Sequence, residues 1–176
     1  FKEGEQVKIG QNKFREMLRK TSYAISTDET RIVLNGLYIK LEADKISIVA
    51  TDGRRMALVE EEIDGEGTKG EFIVPAKAIG ELNRLMGTAG EVGIRMSDTQ
   101  VEFSLTQENA EPIKIYSKLI EGKYPDYRQV IPKDSDQRVS LGREELLHAL
   151  RRAEQVTSDK ANSVSLNWRR GWDSNP

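Results

Sequence analysis

The stretch VKIGQNKFREMLRKT, residues 7–21, decides the fold because a related stretch returns later in the chain. Residues 139–153 read VSLGREELLHALRRA, and residues 7–35 align without a gap to residues 139–167, at an offset of 139 − 7 = 132 residues. Such a repeat indicates one supersecondary unit that is used more than once. Seven aligned pairs are identical: Val7/Val139, Gly10/Gly142, Leu18/Leu150, Arg19/Arg151, Ser26/Ser158, Leu34/Leu166 and Asn35/Asn167.

A looser copy lies between these two, and each copy contains a helix-like pattern. The middle copy aligns at an offset of 72 − 7 = 65 residues, which matches Arg19 with Arg84. In the first copy, apolar side chains at helical spacing predict a helix over residues 11–25. In the middle copy, Pro75 marks the start of the helix and Gly87 its end. The two apolar stripes are Phe14, Met17, Leu18, Thr21 and Ile25, and Ile79, Leu82, Leu85 and Met86.

Strand-like runs surround both helices. The pair Asp52-Gly53 favours a hairpin, whereas Asn35-Gly36 is compatible with either a turn or a bulge. Each half of the repeat therefore reads βαβββ, which defines an α+β fold. We expect the strands to form one continuous antiparallel sheet, with the helices gathered on one face. The predicted strands are residues 31–41, 45–51, 55–63, 72–74, 91–96, 100–105 and 112–117.

Composition excludes several classes of protein. The chain has 27 Lys and Arg against 29 Asp and Glu, a net charge of −2, so it is not a uniformly basic nucleic-acid binder. It has no cysteine and one histidine, which excludes disulfides, thiolate nucleophiles, Cys zinc sites and HExxH motifs. No apolar run approaches the roughly 18 residues of a membrane-spanning helix, and no signal peptide is visible. We therefore expect a cytoplasmic protein, and its start at Phe1 without Met suggests an excised fragment.

No motif assembles a catalytic or metal site. After residues 65–70 (GEGTKG), Glu71 stands where a phosphate-binding loop needs Lys, and no helix follows immediately. The carboxylates of residues 60–62 alternate between strand faces and cannot converge on a metal ion. Asp52 lies beside two arginines but has no partner for acid–base work, so a turn role is preferred, and His148 lies on the polar face of its helix. We predict no catalytic residue, no bound metal and no cofactor.

Basic residues recur in register with the repeat. An arginine occupies the same position in all three helix copies, and helices packed side by side would place these cations along one surface that suits phosphate groups. The alternative is an ordinary solvated face, because Glu16, Glu81 and Glu144 lie on the same helices. The residues of this candidate surface are Arg19, Lys20, Lys77, Arg84, Arg151 and Arg152.

Two further stretches closely resemble signatures of the bacterial DNA polymerase III beta subunit family, the sliding clamps. They are VATDGRRMALVE (residues 49–60) and SKLIEGKYPDYRQVIP (residues 117–132). RIVLNGLYI (residues 31–39) and SDKANSVSL (residues 158–166) also resemble the family, in the expected order. The resemblance ends after Asn167, where WRRGWDSNP lacks strand-like alternation. It implies the DNA clamp fold, in which each of three similar domains has two βαβββ halves and two subunits close into a ring with helices lining a DNA channel.

The resemblance also implies domains, function and partners. Residues 1–132 correspond to the clamp's middle domain and residues 133–176 to the start of its third domain. The implied function is a non-enzymatic DNA sliding clamp, a processivity factor that encircles duplex DNA without sequence preference and tethers the polymerase. The implied partners are the replicative polymerase, the clamp loader and other proteins with clamp-binding motifs, with a homodimeric ring in the full-length protein and no membrane. The alternative is a stand-alone peptide-binding module that does not encircle DNA.

In this family, partner peptides with Gln, Leu and a terminal Leu-Phe bind an apolar cleft between the middle and third domains. The second wall of that cleft would lie beyond residue 176. Arg54 stands where the family often has His, and Gln129 where it often has Arg, so the polarity of the rim differs here. The residues that match the family's cleft are Leu34, Thr51, Gly53, Arg54, Arg55, Met56, Pro125, Gln129 and Val130.

Overall fold

A computed structural model describes residues 6–63, 69–132 and 139–157, together with residues 164 and 166. The chain divides into two units, the first ending at Asp126 and the second beginning at Tyr127. The predicted boundary between residues 132 and 133 falls where residues 133–138 lie outside the described part, so the assignment of two clamp domains stays a prediction.

The first unit contains the predicted pair of βαβββ halves. Each half begins with a strand that runs directly into a helix, and three strands follow. The fold class α+β is therefore confirmed. The first half comprises β1 (Val7–Gly10), α1 (Gln11–Thr21), β2 (Gly36–Glu42), β3 (Lys45–Thr51) and β4 (Met56–Glu62). The second half comprises β5 (Gly70–Pro75), α2 (Ala76–Leu85), β6 (Glu91–Met96), β7 (Gln100–Gln107) and β8 (Ala110–Lys118).

The described strands form two antiparallel sheets, so the expectation of one continuous sheet was wrong. The strand orders are β4-β3-β2-β5 and β1-β6-β7-β8. The first strand of each half is thus exchanged: β1 pairs with β6 and β5 pairs with β2. Each of these first strands runs directly into a helix. Each helix carries the chain from the sheet that holds its preceding strand to the sheet that holds its three following strands.

Both helices bury their predicted apolar stripes in one core shared with the two sheets. Phe14, Met17 and Leu18 of α1 and Ile79 and Leu82 of α2 are almost wholly buried. Each such side chain contributes about 1.5–3 kcal/mol when it leaves water. The two helices also pack against each other. Both halves therefore share the core, and neither has one of its own.

The largest differences from the predicted boundaries lie where short 3-10 turns interrupt the chain. The helix predicted over residues 11–25 ends at Thr21, and Ser22–Ala24 form a 3-10 turn. The strand predicted over residues 31–41 begins only at Gly36, because Ile32–Leu34 form a second 3-10 turn. The backbone N–H of Ser26 donates to the carbonyl of Leu34 (3.0 Å), which closes the intervening loop. Asn35 closes the second 3-10 turn by donating its N–H to the Ile32 carbonyl (3.0 Å), and Gly36 begins β2, so the structure shows neither a hairpin turn nor a bulge at Asn35-Gly36.

The second unit contains a 3-10 turn, Tyr127–Val130, and helix α3, Arg143–Glu154. Leu146, Leu150 and Ala153 are half-buried, whereas His148 on the opposite face is exposed, as predicted. The stretch of residues 65–70 that was compared with a phosphate-binding loop lies mainly outside the described residues. The stretch 158–176 lies outside them too, apart from residues 164 and 166.

Candidate binding surfaces

A tightly hydrogen-bonded turn joins β3 to β4 at one end of the first unit. Asp52 Oδ1 accepts hydrogen bonds from the backbone N–H groups of Arg55 (3.0 Å) and Arg54 (2.9 Å). Its Oδ2 accepts a third from Arg55 Nε (3.1 Å). These contacts lower the pKa of Asp52 to about 2, the backbone donors having the largest effect. Thr51 Oγ1 donates to the Arg55 carbonyl (2.8 Å) and accepts from the Gly53 N–H (3.0 Å). The predicted hairpin is confirmed, with Asp52 holding the turn together.

The loop that precedes β2 lies against this hairpin turn. Arg31 pairs with Asp28 (Nε to Oδ2, 2.9 Å), and its guanidinium lies beside Gly53. The Arg55 guanidinium stands over the ring of Tyr23, 5.7 Å from its centroid. The structure therefore brings the Ile32–Leu34 turn next to the predicted cleft residues of the hairpin turn.

The segment leading to Pro125 reaches the same region. A Cβ added to Gly122 would stand 2.6 Å from Val33 Cγ1, so this segment runs against the Ile32–Leu34 turn. The ring of Tyr124 stacks on Tyr38 with centroids 4.9 Å apart, and burial raises the pKa of Tyr124 to about 12. Pro125, the next residue, is exposed. Seven of the nine predicted cleft residues thus belong to one end of the first unit.

The nine residues differ in how much of each side chain is accessible. Leu34 is only 6% exposed, so it supports the surface from below more than it lines it. Met56 is half-buried and pairs with Thr51 across the hairpin. Gln129 and Val130 belong to the second unit, where Val130 is 69% exposed. The assignment of the nine residues to a cleft stays a prediction.

Sequence reasoning missed three residues that shape this surface: Tyr23, Asp28 and Arg31. Tyr23 falls within the helix predicted over residues 11–25, but α1 ends at Thr21, and the following 3-10 turn directs Tyr23 to Arg55. The sequence spacing of Asp28 and Arg31 could have indicated their role. Asp28 and Arg31 have the same spacing as Asp52 and Arg55, and both pairs form an ion pair within a turn.

The predicted DNA-facing residues of the first unit lie on the exposed sides of α1 and α2. Arg19 and Arg84 both lie in the last turn of their helix, and both side chains are 69% exposed. Lys20 and Lys77 are exposed as well. We call Arg19, Lys20, Lys77 and Arg84 the basic helix surface. In the second unit, Arg151 and Arg152 are exposed in the last turn of α3.

Both arginines of the basic helix surface are paired within their own helix. Arg19 donates from Nε and Nη2 to Glu16 Oε1 (3.1 Å) and Oε2 (2.9 Å). Arg84 donates from Nε (3.0 Å) and Nη2 (2.6 Å) to Glu81 Oε2. The internal repeat therefore extends from the fold to the charge arrangement on its helices.

The described part of the chain presents neither a metal site nor a membrane span. Among its residues, no group of three or more His, Asp or Glu side chains is placed to hold a metal ion. No helix in the same part is long and apolar enough to span a bilayer.

A duplicated βαβββ unit with paired helices on one side defines a clamp-type fold, and comparison identifies the family. Residues 8–126 match the family described as DNA polymerase III beta subunit, central domain. The chain therefore belongs to the DNA polymerase III beta subunit family, as the sequence resemblance predicted.

Individual relatives agree with this assignment. The beta sliding clamp of Caulobacter vibrioides is 37% identical over 167 residues, which cover 91% of this chain and 43% of that protein. The crystal structure of the Bacillus subtilis sliding clamp superposes with a TM-score of 0.82 at 30% identity, covering 91% of this chain and 41% of that one. The Pseudomonas aeruginosa clamp, solved with griselimycin bound, gives a TM-score of 0.81 at 31% identity and covers 92% and 44%. The chain thus spans less than half the length of these relatives.

Proposed function

We propose that the chain is part of a DNA sliding clamp, a non-enzymatic processivity factor that encircles duplex DNA and tethers the replicative polymerase. Residues 1–132 would form its middle domain and residues 133–176 the start of its third domain. The observation that carries this proposal is the pairing of α1 and α2. Two repeated helices pack together and expose an arginine at the same repeat position. The match of residues 8–126 to the central domain of the family supports it.

The proposed mechanism is topological. A closed ring stays on DNA without tight binding, so the protein needs only weak contacts to phosphates and no contacts to bases. The basic helix surface fits this role because its cations are exposed and spread over two helices. In the cell, the full-length protein would be a cytoplasmic homodimer served by a clamp loader.

The second proposed surface is the partner cleft. The hairpin turn, the Ile32–Leu34 turn and Pro125, all in the first unit, would form one wall of this cleft. A half-buried methionine beside polar turn residues suits a site that accepts several partner peptides, because methionine adapts its shape to different ligands. The Pseudomonas aeruginosa relative binds griselimycin, which supports a ligand-binding role within the family.

The DNA proposal is tested by charge reversal on the helices. We expect an Arg19→Glu/Arg84→Glu variant to bind a short fluorescent duplex more weakly than the parent chain at low salt. Its log–log salt slope should be flatter, by an amount of up to about 0.9 for each phosphate that the helices no longer bind. The matched control is Lys114→Glu/Lys118→Glu, which makes the same charge change at exposed positions of β8. Equal effects of the two variants would contradict the proposal and favour a peptide-binding module that does not use DNA.

A further inference from the structure

The two arginines of the basic helix surface each carry a counter-charge that the fold repeats. Glu16 holds Arg19 through two hydrogen bonds, and Glu81 holds Arg84 through two. In both helices the carboxylate lies three residues before the arginine, an arrangement that places the two side chains on the same side of the helix. The pairing therefore concerns the groups proposed to meet DNA, and it recurs at equivalent positions of the two halves.

The third copy of the helix departs from this arrangement. At the offset of 132 residues, Glu16 aligns with His148 and Arg19 with Arg151. Helix α3 thus has no carboxylate three residues before its arginine. The glutamate is therefore not an obligatory companion of the arginine in this repeat, which makes its presence in both α1 and α2 informative.

An exposed ion pair of this kind contributes little to the stability of the fold. Side chains that are 69% exposed for the arginine and 42–50% exposed for the glutamate remain well solvated. Water and salt screen such pairs, so a phosphate group can compete with the carboxylate for the guanidinium. The hydrogen bond from Arg19 lowers the pKa of Glu16, which keeps the carboxylate charged and able to compete.

We propose that Glu16 and Glu81 are positioning residues that hold Arg19 and Arg84 and offset part of their charge, so that these arginines contact DNA phosphates only weakly. The inference rests on the proposed sliding-clamp function and deepens it. To contact such an arginine, a DNA phosphate would have to displace the glutamate carboxylate from the guanidinium. The glutamate that stays nearby offsets part of the positive charge that the arginine brings to the DNA. Each contact then releases fewer counterions than an unpaired arginine would, and the clamp moves from one phosphate to the next with a smaller loss of binding energy.

The test is a Glu16→Gln/Glu81→Gln variant of the 176-residue chain, titrated with a short fluorescent duplex over a range of salt concentrations. Freed of their carboxylates, both arginines should bind phosphate better. We expect affinity at low salt to rise about fourfold, about twofold for each pair. The salt slope should steepen towards the full value of about 0.9 for each arginine. The matched control is Glu108→Gln/Glu111→Gln, the same charge change at exposed positions around the β7–β8 turn.

The outcomes separate this inference from the proposed function. If the Glu16→Gln/Glu81→Gln variant behaves like the Glu108→Gln/Glu111→Gln control, the inference is wrong. If, in addition, Arg19→Glu/Arg84→Glu changes DNA affinity and salt slope no more than its control Lys114→Glu/Lys118→Glu does, the helices do not face DNA and the proposed function fails as well. A role limited to helix stability would lower the urea midpoint of unfolding but leave the salt slope of DNA binding unchanged, and that result would also overturn the inference.

Discussion

The guanidinium of Arg31 lies directly over Gly53, so that its Nη1 atom stands 2.7 Å from the position a Cβ would occupy on that glycine. Gly53 also has a φ of +86°, a backbone conformation that side chains with a Cβ rarely adopt. Arg31 is fixed in turn by Asp28. The loop before β2 and the hairpin turn are therefore built against each other, and a glycine at their contact allows the close approach.

Replacing Gly53 by Ala should lower the free energy of unfolding by about 1–2 kcal/mol, mainly because the left-handed backbone conformation disfavours a Cβ. The flexible end of Arg31 can move aside at a smaller cost. Urea denaturation followed by circular dichroism measures the change. The matched control is Gly80→Ala in the exposed part of α2, where a Cβ would meet no atom within 4 Å. That variant should gain about 0.5–1 kcal/mol from helix propensity, and a loss at both positions would contradict the explanation.

The carboxylate of Asp52 makes stability depend on pH in a defined range. Its pKa is lowered from 3.8 to about 2 in the folded chain. Its stabilising effect is therefore fully present above pH 3.8 and is lost as the pH falls to about 2. An Asp52→Asn variant should have a lower urea midpoint than the parent near neutral pH, and the difference should narrow over that range. Asp44→Asn, at an exposed carboxylate of the β2–β3 turn, controls for the lost charge. A constant difference down to a pH of about 2 would show that the carboxylate does not act through its ionised form.

Sequence periodicity predicted the parts of the fold that depend on local pattern. The apolar stripes of α1 and α2 and the Asp52-Gly53 hairpin are confirmed. They could be predicted because a helix with one buried face and a tight turn each produce a sequence pattern within a few residues. The sequence of the Ile32–Leu34 turn favours a strand, because a short apolar run fits either structure. Contacts with residues distant in the sequence decide that this run forms a turn. The backbone of Ser26 bonds to Leu34, and Gly36 lies so close to the Val74 carbonyl that a Cβ would be 2.3 Å from its oxygen.

The exchange of first strands between the two halves could not be predicted from the sequence, because it also depends on non-local contacts. β1 pairs with β6 and β5 with β2 at sequence separations that no pattern in either strand specifies. In the candidate site, too, residues in a contiguous motif could be predicted, whereas residues placed by non-local contacts could not. Its hairpin residues were found from a contiguous signature, whereas Tyr23 and Arg31 depend on contacts between the loop and the hairpin.

The 176-residue chain by itself should not form a ring or support processive synthesis. It spans 43% of the Caulobacter vibrioides clamp, and a ring of the proposed kind needs three domains in each of two subunits. Light scattering should report a monomer, and incubation with a clamp loader and nicked circular DNA should leave no complex that survives high salt. A full-length clamp from a relative is the positive control. A salt-resistant complex of the chain on circular DNA would disprove this prediction.

The last prediction concerns Met56 in the proposed partner cleft. Met56 is half-buried and pairs with Thr51 at the end of the hairpin, so part of its side chain is available to a ligand. A short peptide with Gln, Leu and a terminal Leu-Phe should shift the amide resonances of Leu34, Thr51, Gly53, Met56 and Val130. Because this chain spans only 43% of the Caulobacter vibrioides clamp and the second wall of the proposed cleft belongs to the third domain, we expect millimolar affinity for this chain and much tighter binding by a full-length clamp.

In a full-length clamp, where the ligand would exclude water from the side chain, Met56→Ala should weaken binding of that peptide by about 1–3 kcal/mol. The control is Met96→Ala, a half-buried methionine of β6 in the other sheet, which should leave peptide affinity unchanged. Titration followed by amide chemical shifts measures both variants under the same conditions. Saturable binding that leaves the five resonances in place, or equal losses of affinity from the two substitutions, would show that the peptide binds elsewhere. A loss confined to Met56→Ala locates the ligand at the hairpin turn, because the two substitutions remove the same atoms and differ only in their place in the fold.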